Sequence, residues 1–313
     1  MAQIILGYRQ DKNKWGTSPI MTYSNSFHKA LVELGHKVLP IGQGHQCNDL
    51  DSLPKVAYEQ SALFIDLDSG RNTKGDLSFH CFEKKARIPS AVRYIDSHGQ
   101  PSYHKRAAAN YDHVFFAVWN RRDLFVKHPS AHWCPNASDD EYFDGAVHLA
   151  ENGTKTSIAG FFGSKGGLDR ADVLQSVCER NKWTFDIREI GKSGNRWPAT
   201  ALAMSDCKVL FNVGQKHDGP NQRVIESMLL NRPLLNNRDE LDGMNKLFVE
   251  GEHYLGFSMI PELVESDIAN QIMWCLKESD LAKTMAERAY AEVKQKHLVK
   301  HRVQQILEVC GIE

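Results

Sequence analysis

The stretch "CKVLFNVGQKHDGPNQRVIESMLLNRPLLNN", residues 207–237, carries the pattern on which the fold turns. An apolar run, 207–214, has the length and β-branched content of a buried strand. Gly219–Pro220 makes a tight entry and Asn221 is a good helix N-cap. Val224, Ile225, Met228 and Leu229 then fall on one helical face, and "RPLLNN" (232–237) starts the next strand. Strand, helix, strand at this spacing is one βαβ unit of a parallel sheet. Two charges sit oddly in it. Arg223 lies in the first helical turn, where the helix dipole disfavours a cation, and Glu226 follows on the same face. An exposed i,i+3 ion pair would contribute only about 0.2–0.5 kcal/mol, and Arg before Glu is the unfavoured order. The arrangement makes sense if an anion docks at this helix end. Free N–H groups, the dipole and the guanidinium would converge on a diphosphate, and Glu226 could accept hydrogen bonds from a vicinal diol such as a ribose.

The same alternation runs outward in both directions. Strands are expected at 3–8, 37–42, 62–68, 91–96 and 113–119, with helices at 23–36, 78–87, 102–110 and 121–127 between them. In the first helix Phe27, Ala30, Leu31 and Leu34 make the apolar stripe and Gly35 is the stop signal. Around 135–155 the pattern lapses into polar, turn-rich sequence, a plausible linker. It restarts with strands at 156–163 and 184–191 and a helix at 168–182; residues 281–310 are strongly helical, with Val303, Ile306, Leu307 and Cys310 on one stripe. The expectation is an α/β fold of two consecutive Rossmann-like units, with a ligand in the cleft between them.

Bulk properties agree with a globular chain. Of 313 residues 42% are hydrophobic and 25% charged, enough for two real cores. A net charge of −1 gives no global pull toward nucleic acid or anionic membrane. Seven cysteines without C-x-x-C spacing suggest reduced thiols. The N-terminus lacks a signal-peptide core and no apolar run could span a bilayer, so a cytoplasmic location is expected.

The segment from Asn221 to Tyr254 resembles the donor site of GT-B-fold glycosyltransferases, closest to the CgeB-like, group 1 type: Arg, two apolar residues, Glu, an apolar helix, a small turn, then a strand. Asp218 and Glu226 echo the E-x7-E pattern of retaining members, with Asp in place of the first Glu. "YIDSHGQPSYHKRAAANYDHVFFAVWNRRDLF" (94–125) through "HWCPNASDDEYF" (132–143) is similar to the N-terminal domain of the same group. The resemblance covers about residues 90–313. It implies an N-terminal acceptor domain at 1–150, a nucleotide-sugar donor domain at 151–290, and a C-terminal helix, 291–313, that packs back toward the N-terminal domain. The implied activity is transfer of a hexosyl or pentosyl group from a nucleotide-diphosphate sugar, such as a UDP-sugar, to an acceptor hydroxyl.

Further residues fit that reading. Asp96 and His98 end a strand where α/β sites form and could activate or position an acceptor hydroxyl. "GFFGSKGGLDR" (160–170) is not a Walker A loop, yet Gly163 permits close backbone approach, and Lys165 and Arg170 supply positive charge. The donor set is thus Gly163, Lys165, Arg170, Asp218, Asn221, Arg223 and Glu226. No metal and no cofactor are expected to be essential. Asp66-x-Asp68 after an apolar strand keeps open a metal-dependent GT-A alternative. His128/His132 and His297/His301 have i,i+4 spacing but no third ligand.

The acceptor is open: a cell-surface polymer, a protein, a small molecule or modified DNA. T-even phage enzymes that glycosylate hydroxymethylated DNA bases share the GT-B fold, and residues 103–111 and 120–133 would then wall a basic, aromatic cleft. A non-catalytic nucleotide or nucleotide-sugar binder on the same fold is the alternative of a different class.

Overall fold

The computed structural model describes residues 1–8, 19–42, 44–67, 86–95, 101–141, 143, 146, 155–163, 170–190, 199–214, 219–238 and 243–313. The chain divides into two compact units, residues 1–136 with 299–313, and residues 137–298.

The first unit contains β1 (Gln3–Gly7), α1 (Pro19–Glu33), β2 (Lys37–Ile41), α2 (Lys55–Glu59), β3 (Leu63–Asp66), β4 (Ser90–Tyr94), α3 (Pro101–Ala108), β5 (His113–Phe116), a 3-10 turn (Trp119–Leu124) and β6 (Ala131–Trp133). All its strand pairs are parallel, in the order β2-β1-β3-β4-β5-β6. The central strands are buried on both faces, which is why "IIL", "LFI" and "AV" read as continuous apolar runs rather than alternating ones. α1 stops as its sequence implies. Gly35 adopts φ +87°, Gly35 N–H donates to Val32 and His36 N–H to Leu31, the pairing of a Schellman cap. Leu34 lies beyond the helix end and is exposed rather than buried, so the apolar stripe ends at Leu31.

The second unit contains β7 (Ser157–Gly163), α4 (Asp172–Asn181), β8 (Phe185–Glu189), α5 (Ala199–Ser205), β9 (Cys207–Asn212), α6 (Gln222–Leu229), β10 (Leu234–Asn237), β11 (Leu255–Phe257), α7 (Val264–Lys277) and α8 (Ser279–Lys296). Its parallel sheet runs β11-β10-β9-β7-β8. Successive residues of β9 alternate between two cores: Leu210 joins Met204, Ile225 and Met228 on one face, and Val209 and Phe211 join Leu174, Phe257 and Ile272 on the other.

The last helix, α9 (Val299–Val309), belongs to the first unit and packs on α1. Val303, Ile306 and Leu307 are buried, as their stripe implies. Two buried arginines complete the join. Arg93 of β4 donates to the carbonyls of Cys134 and Pro135 at 3.3 Å each, and Arg302 of α9 donates to the Pro135 carbonyl at 3.1 Å. Gln305 donates to the Trp133 carbonyl at 2.8 Å.

Two short edge strands, β6 and β11, are additional to the expected set. Residues 121–127, expected to be helical, instead end a 3-10 turn at Leu124. The single helical stretch expected at 281–310 is two helices broken at His297 and Leu298.

Candidate functional site

In the second unit the chain begins the sheet at β7, moves to one side for β8 and to the other for β9. The crevice outside the carboxyl ends of β7 and β9 is therefore the topological switch point, the place where open parallel sheets bind ligands. Gly163 ends β7, Asn212 ends β9, and α6 starts from the loop after β9.

α6 is capped as its sequence implies. The Asn221 side chain accepts from Val224 N–H at 3.3 Å. Behind that cap the helix is embedded, with Val224, Ile225, Met228 and Leu229 all fully covered.

Arg223 and Glu226 pair directly, Nη1 to Oε2. The pair is not an exposed one: the Glu226 side chain is 3% accessible and that of Arg223 17%. Arg223 Nη1 also lies 3.4 Å from the Met204 sulfur of α5. Burial pushes the Glu226 carboxyl up to about 7, against the opposing pull of Arg223. Burial likewise lowers Arg223, with Glu226 opposing. Among the described residues the Glu226 Oε2 receives no well-angled hydrogen bond, so the ion pair leaves it acceptor capacity.

Arg170 stands at the same sheet edge. Its Nη1 donates to the Val213 carbonyl, just beyond β9, at 2.8 Å. At Gly163 the room left by the missing Cβ is taken by the ring of Phe161, which a Cβ would meet at 2.7 Å. Lys165 and Asp218 lie outside the described residues, as do Asp96 and His98 after β4. Among the described residues, those of the expected donor set found at this edge are Gly163, Arg170, Asn221, Arg223 and Glu226.

Asn212, Asn236 and Asn237, none of them among the expected site residues, join the expected Asn221 at this edge. Asn221 Nδ2 donates to Asn212 Oδ1 at 3.3 Å, and Asn212 Nδ2 to Asn236 Oδ1 at 2.6 Å. Asn236 Nδ2 donates to the Asn237 carbonyl at 2.9 Å, and Gly214 N–H donates to Asn237 Oδ1 at 2.8 Å. The signal was present: "FN" and "LLNN" end two apolar strands in asparagine, a residue that fits strands poorly.

The metal alternative at Asp66-x-Asp68 meets a different use of Asp66. That carboxylate is fully buried and accepts from Tyr111 Oη at 2.5 Å; Asp68 lies outside the described residues. His128 and His132 do not share a helix: they flank Ser130 at the entry to β6. Among the described residues no three His, Cys, Asp or Glu side chains group as a metal site would need, and no helix is long and apolar enough to cross a membrane.

Residues 170–308 match the family model described as glycosyl transferase-like. No curated protein matches the chain. Among solved structures, sucrose-phosphate synthase from Thermosynechococcus elongatus is similar over 99% of this chain and 98% of that one, with TM-score 0.64 and 12% identity. Anabaena HepE, solved in complex with UDP-glucose, is similar over 99% and 100%, with TM-score 0.60 and 14% identity. A glycosyltransferase from Rickettsia africae is similar over 99% and 97%, with TM-score 0.60 and 11% identity. The chain therefore has the GT-B fold of these structures, and its residues 170–308 are similar to the glycosyl transferase-like family.

Proposed function

We propose that the chain transfers a sugar from a nucleoside-diphosphate sugar to an acceptor hydroxyl, with the donor held at the α6 end of the second unit. The observation that carries this reading is the Arg223–Glu226 pair, held within the first five residues of a capped helix at the sheet's switch point. The diphosphate sits on the first-turn N–H groups with Arg223 beside it, and the ribose hydroxyls donate to Glu226. Arg170 and Lys165 add positive charge, and Asp218 takes a donor hydroxyl. HepE, of the same fold, binds UDP and UDP-glucose in its solved structures, which supports UDP as the first nucleotide to test.

In the reaction the acceptor oxygen bonds to the anomeric carbon as the bond from that carbon to the phosphate oxygen breaks. The leaving diphosphate keeps the electron pair, and its growing charge is met by Arg223 and the helix N-terminus. Asp96 and His98 serve the acceptor hydroxyl, accepting its proton or fixing its position. Because fixed cations and backbone dipoles meet the diphosphate, donor binding persists in chelator.

The test is release of nucleoside diphosphate from a panel of sugar donors, with acceptors of each class and with or without EDTA. Turnover with one donor, retained in EDTA, is expected. Arg223→Ala is expected to lower kcat/KM about 100-fold or more, the scale of losing one donor to a developing anion. No release from any donor with any acceptor class counts against an enzyme and leaves a nucleotide binder.

A further inference from the structure

We propose that Asn212 and Asn236 are positioning residues for the donor site: with Asn221 they form a one-way relay of amides that sets where the α6 N-terminus stands. This rests on the donor-site reading above.

The relay has a fixed sense because its ends are backbone groups. At one end Val224 N–H can only donate, so Asn221 must present Oδ1 to it. Asn221 then has only its NH₂ to offer Asn212, which accepts through Oδ1 and donates through Nδ2 to Asn236 Oδ1. Asn236 in turn donates to the Asn237 carbonyl, which can only accept. Turning any one amide over places oxygen against oxygen or NH₂ against NH₂ at both of its neighbours. The chain of bonds therefore has one arrangement, running from the first turn of α6 through the ends of β9 and β10.

The same strand ends also hold the backbone that leaves β9. Gly214 N–H is bound by Asn237 Oδ1, and the Val213 carbonyl by Arg170. The two backbone segments that face the switch point, the exit of β9 and the entry of α6, are thus fixed to a common frame.

Stability alone does not account for this choice. Asn212 and Asn236 are almost fully buried, in strand positions where apolar residues would pack without any polar group to satisfy. A buried amide left half-satisfied costs about 1–3 kcal/mol, so the relay is safe only when complete. What an apolar strand end cannot supply is a directional tie between the sheet and the helix cap. A diphosphate bound by N–H groups needs that tie, because those bonds weaken steeply with misalignment.

The experiment compares UDP with uridine on the full chain. UDP carries the diphosphate that the α6 N-terminus would meet; uridine carries only the ribose and base. Binding of both to the wild type, Asn221→Ser, Asn212→Ala and Asn212→Ala/Asn236→Ala is measured by calorimetry for UDP and ligand-observed NMR for uridine. Asn221→Ser keeps a capping oxygen for Val224 but cannot reach Asn212, so it cuts the relay without uncapping the helix. Each variant is expected to lose tenfold or more in UDP affinity with uridine affinity within twofold. The double variant is expected to lose no more than Asn212→Ala, because both act through one chain. UDP binding by Asn221→Ser and Asn212→Ala within twofold of wild type overturns the positioning role, as does equal loss of UDP and uridine. A wild-type chain that binds no nucleoside diphosphate instead defeats the donor-site reading, and the relay's role in it.

Discussion

Arg223 and Glu226, three residues apart on α6, form their ion pair inside the second unit, against Met204, rather than on its surface. Taking two charges out of water costs several kcal/mol per ion, and their mutual attraction repays this only in part. Two apolar side chains would hold α6 in its core as well or better. The cost is understandable if the pair serves a ligand that arrives at the helix N-terminus. Its energetics can be separated from that role by substitution.

Removing one partner strands the other. Arg223→Ala leaves a buried carboxylate and is expected to cost about 3–5 kcal/mol of stability. Arg223→Met combined with Glu226→Leu removes both charges and keeps the volume. That double variant is expected to melt no lower than wild type, and differential scanning calorimetry checks both. A double variant less stable than Arg223→Ala would show that the pair holds the fold.

The pH dependence of this pair has a definite sign. Burial raises the Glu226 carboxyl from its usual 4.5 to about 7 in the folded chain. Below about pH 4.5 the group is protonated folded and unfolded, and it makes no difference to stability. Between the two values the native state keeps a proton that the unfolded chain has released, so Glu226's contribution falls as pH rises and its cost is complete above about 7. Glu226→Gln removes the titration. The melting temperature of wild type relative to Glu226→Gln is expected to decline from pH 5 to pH 8, and a flat difference would refute the burial argument.

Ser130 predicts the opposite trend in the first unit. Its Oγ bridges His113 Nδ1 at 2.7 Å and His132 Nε2 at 2.9 Å, and its N–H donates to His128 Nδ1 at 3.2 Å. The His128 proton is therefore on Nε2, which donates to the Tyr111 carbonyl at 3.1 Å. One hydroxyl can donate to one ring and accept from the other only while a ring is neutral. Burial lowers both His113 and His132, and the neighbouring imidazoles add to this, while Asp112 opposes it at His113. A histidine with a lowered folded value is protonated first in the unfolded chain, so stability falls as pH drops below about 6.5. Amide hydrogen exchange in β5 and β6, corrected for intrinsic rates, should show less protection at pH 5.5 than at 7.5. Ser130→Ala should lower protection at pH 7.5, by about 1–2 kcal/mol for the two bonds lost.

The return of the chain to the first unit is predicted to be structural. Ile306 is fully buried in the stripe by which α9 packs. Ile306→Ala is expected to cost about 2–5 kcal/mol through the cavity it leaves. Chemical denaturation measures it, and a loss under about 0.5 kcal/mol, as for a surface substitution, would contradict the packing.

The alternation of apolar runs and amphipathic stretches was enough to place the central strands, because strands buried on both faces have no polar positions to blur them. The three-residue edge strands escaped it: "AHW" and "LGF" are too short to show a period, and their pairing is set by β5 and β10. The cap at Asn221 and the shared face of Arg223 and Glu226 were legible because they are local, within one turn of helix. Their burial was not, since it is tertiary: Arg223 meets the Met204 sulfur of α5, and α6 packs on α8. The relay was invisible for the same reason. Asn212 meets Asn236 through the register of β9 with β10, which no local pattern encodes.

The most direct measurement is calorimetric titration of UDP into wild type and into the charge-free Arg223→Met/Glu226→Leu variant, both in EDTA. The account predicts a saturable heat with the wild type and none with the variant, at equal thermal stability. UDP binding that survives in the variant, or that appears in the wild type only when a divalent metal is restored, would contradict it.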